Sequence, residues 1–221
     1  MSIIIEGMNF TGFPGFDAQH LPELSYEGRV QWLRYRFQVV FLNPFRALLR
    51  SDAADCYVWL CVVSLMSAAV QALSGFVFPG GSDRGRFVQF LQRCLPSGAF
   101  TVPMNLDDPR GGRDRATTQA EHFYKFFRNG LAHSFCIEWG GLQHRNEVPG
   151  AGPEYLFEAH QGPIGERSLG VIPREIVEDF QAGVATIFAQ LLTAEPAAVE
   201  RAAFNRSFER VFMTKRRRPL P

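Results

Sequence analysis

Residues 56–82 read CYVWLCVVSLMSAAVQALSGFVFPGGS, with no charged side chain, and the fold turns on what this run becomes. It is long enough for one helix to cross a bilayer. It also suits the buried central helix of a soluble bundle. Two features favour the second reading. Ser64, Ser67, Gln71 and Ser74 recur at helical spacing as a weakly polar stripe. The flanks, Asp52 and Asp55 before and Asp83 to Arg86 after, lack the aromatic or basic anchors of a membrane boundary.

On the N-terminal side, Val30, Leu33, Phe37, Val40 and Phe41 recur among polar residues from Glu27 to Phe41 and predict an amphipathic helix. It should end before Pro44, with PFRALLR adding a turn. Residues 1–26, rich in Gly, Pro and Phe, predict an irregular arm with a short strand at Ile3 to Ile5. Ser51 and Asp52 are N-cap types for the uncharged helix, which should stop near Gly75 to Gly81.

On the C-terminal side, a third helix runs from Ser82 or Asp83 to Leu95, with Phe87, Phe90, Leu91 and Leu95 on one face. A Gly- and Arg-bearing loop, 101–119, leads to a T-x-x-E capping box at Thr118 and Glu121, which starts a helix over 119–133. SFCIEWG and EYLFEAHQG predict a β-hairpin inserted at about 134–161. Pro173 opens a helix with Ile176, Phe180, Val184, Ile187, Phe188 and Leu191 on one stripe. Pro196 begins a last one bearing Phe204, Phe208, Val211 and Phe212. The expected architecture is mainly α, one helical domain over 27–212, with a basic, frayed tail at 213–221.

The 221 residues are 46% hydrophobic, enough for one core. Lys plus Arg number 23 against 22 Asp plus Glu, so polyanion binding must come from a local cluster. Cys56, Cys61, Cys94 and Cys136 lie in apolar surroundings without paired metal spacing, which predicts buried free thiols in a reducing compartment. MSIIIEGMNF lacks a basic start and a long apolar run, so no secretory leader and no membrane association are expected, and the default address is cytoplasmic.

The chemistry concentrates in FFRNGLAHSF, residues 126–135. On an ideal helix Asn129 and His133 stand nearly above one another, with Lys125 and His122 continuing that line; Arg128 lies about a quarter-turn away, on the side of Tyr124 and Glu121. One face thus offers an imidazole that titrates near neutrality, a permanent bidentate cation and an amide. Cutting RNA through its 2'-hydroxyl needs a base for that proton, an acid for the leaving 5'-oxygen and a group for the charge on phosphorus. No metal or cofactor is called for. Lys125, His122, Tyr124 and Arg115 are candidate substrate contacts, while Glu121 is a capping residue or an ion-pair partner for Arg128. Gly130 and Ala132 are small enough to let a second backbone approach. His144 and His160 have no ligand partners at metal spacing.

RNGLAH, Arg128 to His133, resembles the R-x4-6-H motif of HEPN domains, including the asparagine after the arginine near the end of a late bundle helix. The resemblance implies an all-α bundle that pairs as a homodimer with two motifs facing across a cleft. It implies a metal-independent endoribonuclease acting on single-stranded RNA, of the kind found in toxin–antitoxin and antiviral defence systems, with an antitoxin or regulatory protein as a further partner. Arg128, Asn129 and His133 would be its catalytic residues. Two other readings stay open. The bundle can be an inactive HEPN-like module binding nucleotide or a protein partner, or the three residues can be a surface cation, a turn former and a C-terminal cap.

Overall fold

A tight hairpin opens the chain: the short strand expected at Ile3 to Ile5 lies in β1 (Ser2–Ile5), and it pairs antiparallel with β2 (Met8–Thr11), which was not expected, around Glu6 and Gly7. The computed structural model describes residues 2–11, 20–50, 56–104, 106, 116–134, 137, 140–142, 156–161, 166–195 and 197–213. Both turn residues have positive φ, 51° and 79°, which matches the twist of paired strands. Glu6 is held there by its carboxylate, which accepts from the Ser25 backbone N–H at 3.1 Å and from the Ser25 hydroxyl. Gly28 leaves room for it, because a Cβ at 28 would come within 2.7 Å of Glu6 Oε1. Four-residue strands carry too few alternations to be read by period.

Ser25 also caps α1 (Tyr26–Phe37), accepting from the Gly28 N–H at 3.1 Å. The helix does not end before Pro44. A π-helical turn over Gln38–Leu42 leads directly into α2 (Asn43–Arg50). In a regular α-helix the proline ring meets the carbonyl four residues back; the wider turn, closed by Asn43 N–H onto Gln38 O, relieves that contact.

The uncharged run forms α3 (Cys56–Val77). Val62, Val63, Met66, Ala69, Val70, Leu73 and Phe76 enter the core, while Cys61, Ala68 and Ala72 are exposed and Leu65 is half-buried. Val58–Val77 has a mean hydropathy of 1.9, long and apolar enough by composition to cross a membrane, with 50% of that window buried inside the protein. α4 (Asp83–Cys94) comes next, capped by the Ser82 hydroxyl accepting from Gly85 N–H at 3.1 Å.

After a 3-10 turn at Ala99–Thr101 comes the helix carrying the RNGLAH motif. It is built from α5 (Gln119–His122), a π-helical segment Phe123–Arg128, and α6 (Asn129–Ser134). The hairpin expected within 134–161 is also corrected. β4 (Leu156–Gln161) pairs antiparallel with β5 (Glu166–Val171), and β3 (Gly140–Leu142) adds to the far edge of β5 in parallel. Four residues, Gly162-Pro163-Ile164-Gly165, separate the two pairing strands in the sequence. The longer linker upstream had drawn the sequence reading to the wrong partner.

α7 (Pro173–Thr193) starts with proline in its first turn, and its expected stripe of Ile176, Phe180, Val184, Ile187, Phe188 and Leu191 is buried. α8 (Val199–Phe208) is prolonged by a π turn over Glu209–Met213. The described fold is mainly helical, with α3 packed against α4, α7, α8 and the motif helix. Phe180 joins three helices at once, its ring 6.3 Å from Phe37, 6.0 Å from Phe45 and 6.1 Å from Phe90. α7 crosses the end of α4 so closely that a Cβ on Gly183 would collide with the Cys94 carbonyl oxygen. Arg201 to Glu27 at 2.9 Å and Arg29 to Glu209 at 3.2 Å tie α8 and its π turn to α1.

Burial of all four thiols was expected, but Cys61 is exposed. Cys94 is partly buried, and loss of solvent pushes its thiol up to about 11. The side chains of Cys56 and Cys136, and the basic tail beyond 213, lie outside the described residues.

Candidate functional site

The motif helix is fixed at its start by a side-chain cap and an isolated backbone bridge, Pro103 to Thr118, together. The Thr118 hydroxyl accepts from Glu121 N–H at 3.3 Å. Gln119 N–H donates to Val102 O at 3.2 Å and Met104 N–H to Thr117 O at 3.0 Å, pinning the loop's two ends together. The return half of the capping box is shifted by one residue. Glu121 accepts from the backbone N–H of Thr117 at 2.8 Å and its hydroxyl at 2.9 Å. Burial raises the Glu121 carboxyl, but the bonds from Thr117, the Arg84 charge at 3.6 Å and the bond from Thr118 outweigh it, leaving the group below its ordinary value. Its ion pair is therefore with Arg84, and the pairing with Arg128 weighed from the sequence is not formed.

The next turn is wide, and three phenylalanines on it reach the core. Phe123, Phe126 and Phe127 are fully buried. Phe123 stacks on Phe127 with centroids 5.0 Å apart and meets the edge of Phe100 at 5.5 Å. A regular α-helix already sets 123, 126 and 127 on one face, as i, i+3 and i+4; the segment is nonetheless π-helical, closed by Asn129 N–H onto Tyr124 O.

This widening breaks the polar line expected for a regular helix. A π segment adds in effect one residue to the turn, so the helix before it is rotated by roughly 100° relative to the helix after it. His122 is consequently fully buried, its Nε2 3.2 Å from Met104 O and its ring stacked on Phe126 at 5.8 Å. That burial removes it from contact with a substrate arriving from solvent. Lys125 is half-buried, with Nζ 5.5 Å from the Phe126 ring centre.

Arg128 and its neighbours do come together. Nη1 of Arg128 donates to Oδ1 of Asn129 at 2.9 Å, and its guanidinium carbon stands 5.4 Å from the Tyr124 ring centre. Tyr124 in turn meets Phe87 edge-on at 5.2 Å. The guanidinium is thus oriented by an amide and an aromatic ring, and no carboxylate pairs with it among the described residues. His133 stands in α6, four positions after Asn129, with only its backbone described. Gly130 is buried in its own chain, so it does not supply the surface for a second backbone; the Ala132 side chain lies outside the described parts. Arg115 and His144 lie outside the described residues, as does the side chain of His160.

Sequence reasoning missed what faces Arg128. Ser64, Ser67, Ala68, Gln71 and Ala72 of α3, with Arg128 and Leu131, line a groove of about 440 Å³. Ser64, Ser67 and Gln71 in this lining are three members of the stripe that the sequence displayed, which weighed there only against a membrane span. Ser67 is 5% exposed, and its hydroxyl and the side-chain carbonyl of Gln71 are both buried with no hydrogen-bond partner. A second cavity, of about 430 Å³, carries Arg36, Arg86 and Arg210 on apolar walls, with Gln71 bordering both.

Comparison of the chain with protein-family models, curated proteins and solved structures gives no match.

Proposed function

We propose that this protein is a HEPN-like endoribonuclease that cleaves single-stranded RNA without a metal, acting as a homodimer. The observation that carries the reading is the state of Arg128. It is a guanidinium held by Asn129 and Tyr124, free of any carboxylate among the described residues, and set on the wall of a groove. Such a group fits a phosphodiester, whose two unbridged oxygens accept from the fork. His133 lies on the same helix, a turn after Asn129.

The chemistry balances with these groups. A neutral imidazole takes the 2'-hydroxyl proton as that oxygen attacks the adjacent phosphorus. The bond from phosphorus to the 5'-oxygen breaks, and a protonated imidazole gives the leaving oxygen its proton. The products are a 2',3'-cyclic phosphate and a 5'-hydroxyl. Arg128 stabilises the charge that gathers on the phosphoryl oxygens, and Asn129 keeps the fork in position.

One protomer carries too few groups for this. Arg128 and His133 are about 140° apart around an α-helix, and burial of His122 leaves His133 as the other imidazole of the motif helix. A twofold dimer supplies a second imidazole and a second guanidinium to one cleft.

End-group analysis tests the reading. After incubation with a single-stranded RNA in EDTA, downstream fragments should accept phosphate from a polynucleotide kinase without prior dephosphorylation, as 5'-hydroxyl ends do. Fragments with 5'-phosphate ends, or intact RNA, count against it; intact RNA that stays bound favours the non-catalytic binding module.

A further inference from the structure

We infer that the groove between α3 and α6 is a nucleotide subsite in which Arg128 holds the phosphate and Gln71 and Ser67 read the edge of the base. This rests on the ribonuclease reading for its role in cleavage, though not for the binding itself. Ser64, Ser67, Ala68, Gln71 and Ala72 fall at helical spacing on one side of α3, and the eight-residue step from first to last spans about 12 Å. That length and the volume of about 440 Å³ suit one nucleotide and part of a neighbour, within the range of small-ligand sites.

Two of the lining groups have unmet hydrogen-bonding capacity. The Ser67 hydroxyl and the Gln71 side-chain carbonyl are buried and unpartnered, an arrangement that destabilises the protein on its own, because each group has given up water without replacing it. An apolar residue at either position would avoid that penalty, so their presence points to an occupant that brings polar atoms. Both oxygens are buried as they stand, so reading a base requires each side chain to rotate about its χ angles toward the groove that its residue lines. A carboxamide carries a donor and an acceptor side by side, which is the complement of a base edge, and a serine hydroxyl adds either role.

The remaining lining sets the rest of the ligand. Arg128 supplies a positive charge at the wall with no carboxylate partner among the described residues, matching a phosphate, and Leu131 with Ala68 and Ala72 gives apolar surface for a ring face. A phosphate, a flat ring and a hydrogen-bonding edge together describe a nucleoside monophosphate unit.

The test is calorimetric titration of the full chain with the four nucleoside 5'-monophosphates, beside the RNA cleavage assay. Binding should differ between bases, Gln71→Leu and Ser67→Ala should bring the four affinities together, and Arg128→Ala should weaken all four about equally, by tenfold or more. Equal affinities in the wild type, unchanged ratios in Gln71→Leu, or no binding at all overturns the subsite. Circular dichroism of each variant separates these outcomes from misfolding. Cleavage without base-dependent binding removes the subsite and leaves the ribonuclease standing. Base-dependent binding without cleavage does the reverse.

Discussion

Arg128 and Asn129, adjacent in the chain, bond through their side chains at 2.9 Å, Nη1 to Oδ1. That contact explains why an amide directly after the arginine matters: it fixes the guanidinium beside the groove while leaving most of its five donors unused. Asn129→Ala should therefore lower RNA cleavage less than Arg128→Ala does. Arg128→Lys should restore only part of the rate, since an ammonium cannot present two parallel donors. Single-turnover rates for the three variants check this; full activity in Arg128→Lys would contradict it.

Core substitutions in α3 should separate by face. Met66 is fully buried, whereas Leu65 is half-buried. Met66→Arg should abolish folding by burying an unpaired charge, and Leu65→Arg should be tolerated far better. The wild-type chain should stay in solution without detergent. Thermal melts and fractionation read both; extraction only by detergent would assign α3 to a membrane.

The crossing of α7 over α4 depends on a missing side chain. A methyl on Gly183 meets the Cys94 carbonyl oxygen, part of the backbone and unable to swing away. Gly183→Ala should destabilise the protein by about 1–3 kcal/mol, the usual size for overpacking, despite alanine's better helix propensity. Urea denaturation measures it, and a neutral or stabilising result would mean the helices do not approach this closely.

Glu121 links stability to acid. Its folded carboxyl lies below the ordinary value of 4.5, so its contribution is present above that pH and disappears as pH falls through the lower folded value. Glu121→Gln should be less stable than wild type at neutral pH and should lose less on acidification. Denaturation midpoints from neutral pH down through the carboxylate range test this; parallel curves would remove the linkage.

The helical elements were legible in the sequence where one apolar face met one core. The α7 stripe and the phenylalanines of α4 and α8 read correctly because a 3.6 period is unambiguous over several turns. Legibility failed where geometry departs from that period. The chain enters Pro44 through a π turn, and Phe123–Arg128 widens into another, so His122 turned inward although ideal spacing set it in line with Asn129. The β4–β5 pairing was missed because the longer linker before β4 was read as the hairpin's turn, and the four residues between β4 and β5 were not. At the site, Arg128, Asn129 and Tyr124 were readable as neighbours. Gln71 and Ser67 were not, because they lie far from the motif in sequence and meet it only when α3 packs against α6.

Whether Arg128 and His133 act together on a phosphodiester is read most directly from the rate of cleavage of a labelled single-stranded RNA in EDTA by wild type, Arg128→Ala and His133→Ala. Each substitution should lower the rate by at least about a hundredfold, the scale of acid–base and charge stabilisation, while the circular dichroism stays unchanged. Excess His133→Ala protomer mixed with wild type should suppress activity beyond dilution, since each cleft draws on both chains. Wild-type activity in either variant, or no cleavage by the wild-type dimer under these conditions, would contradict the joint action of the two residues.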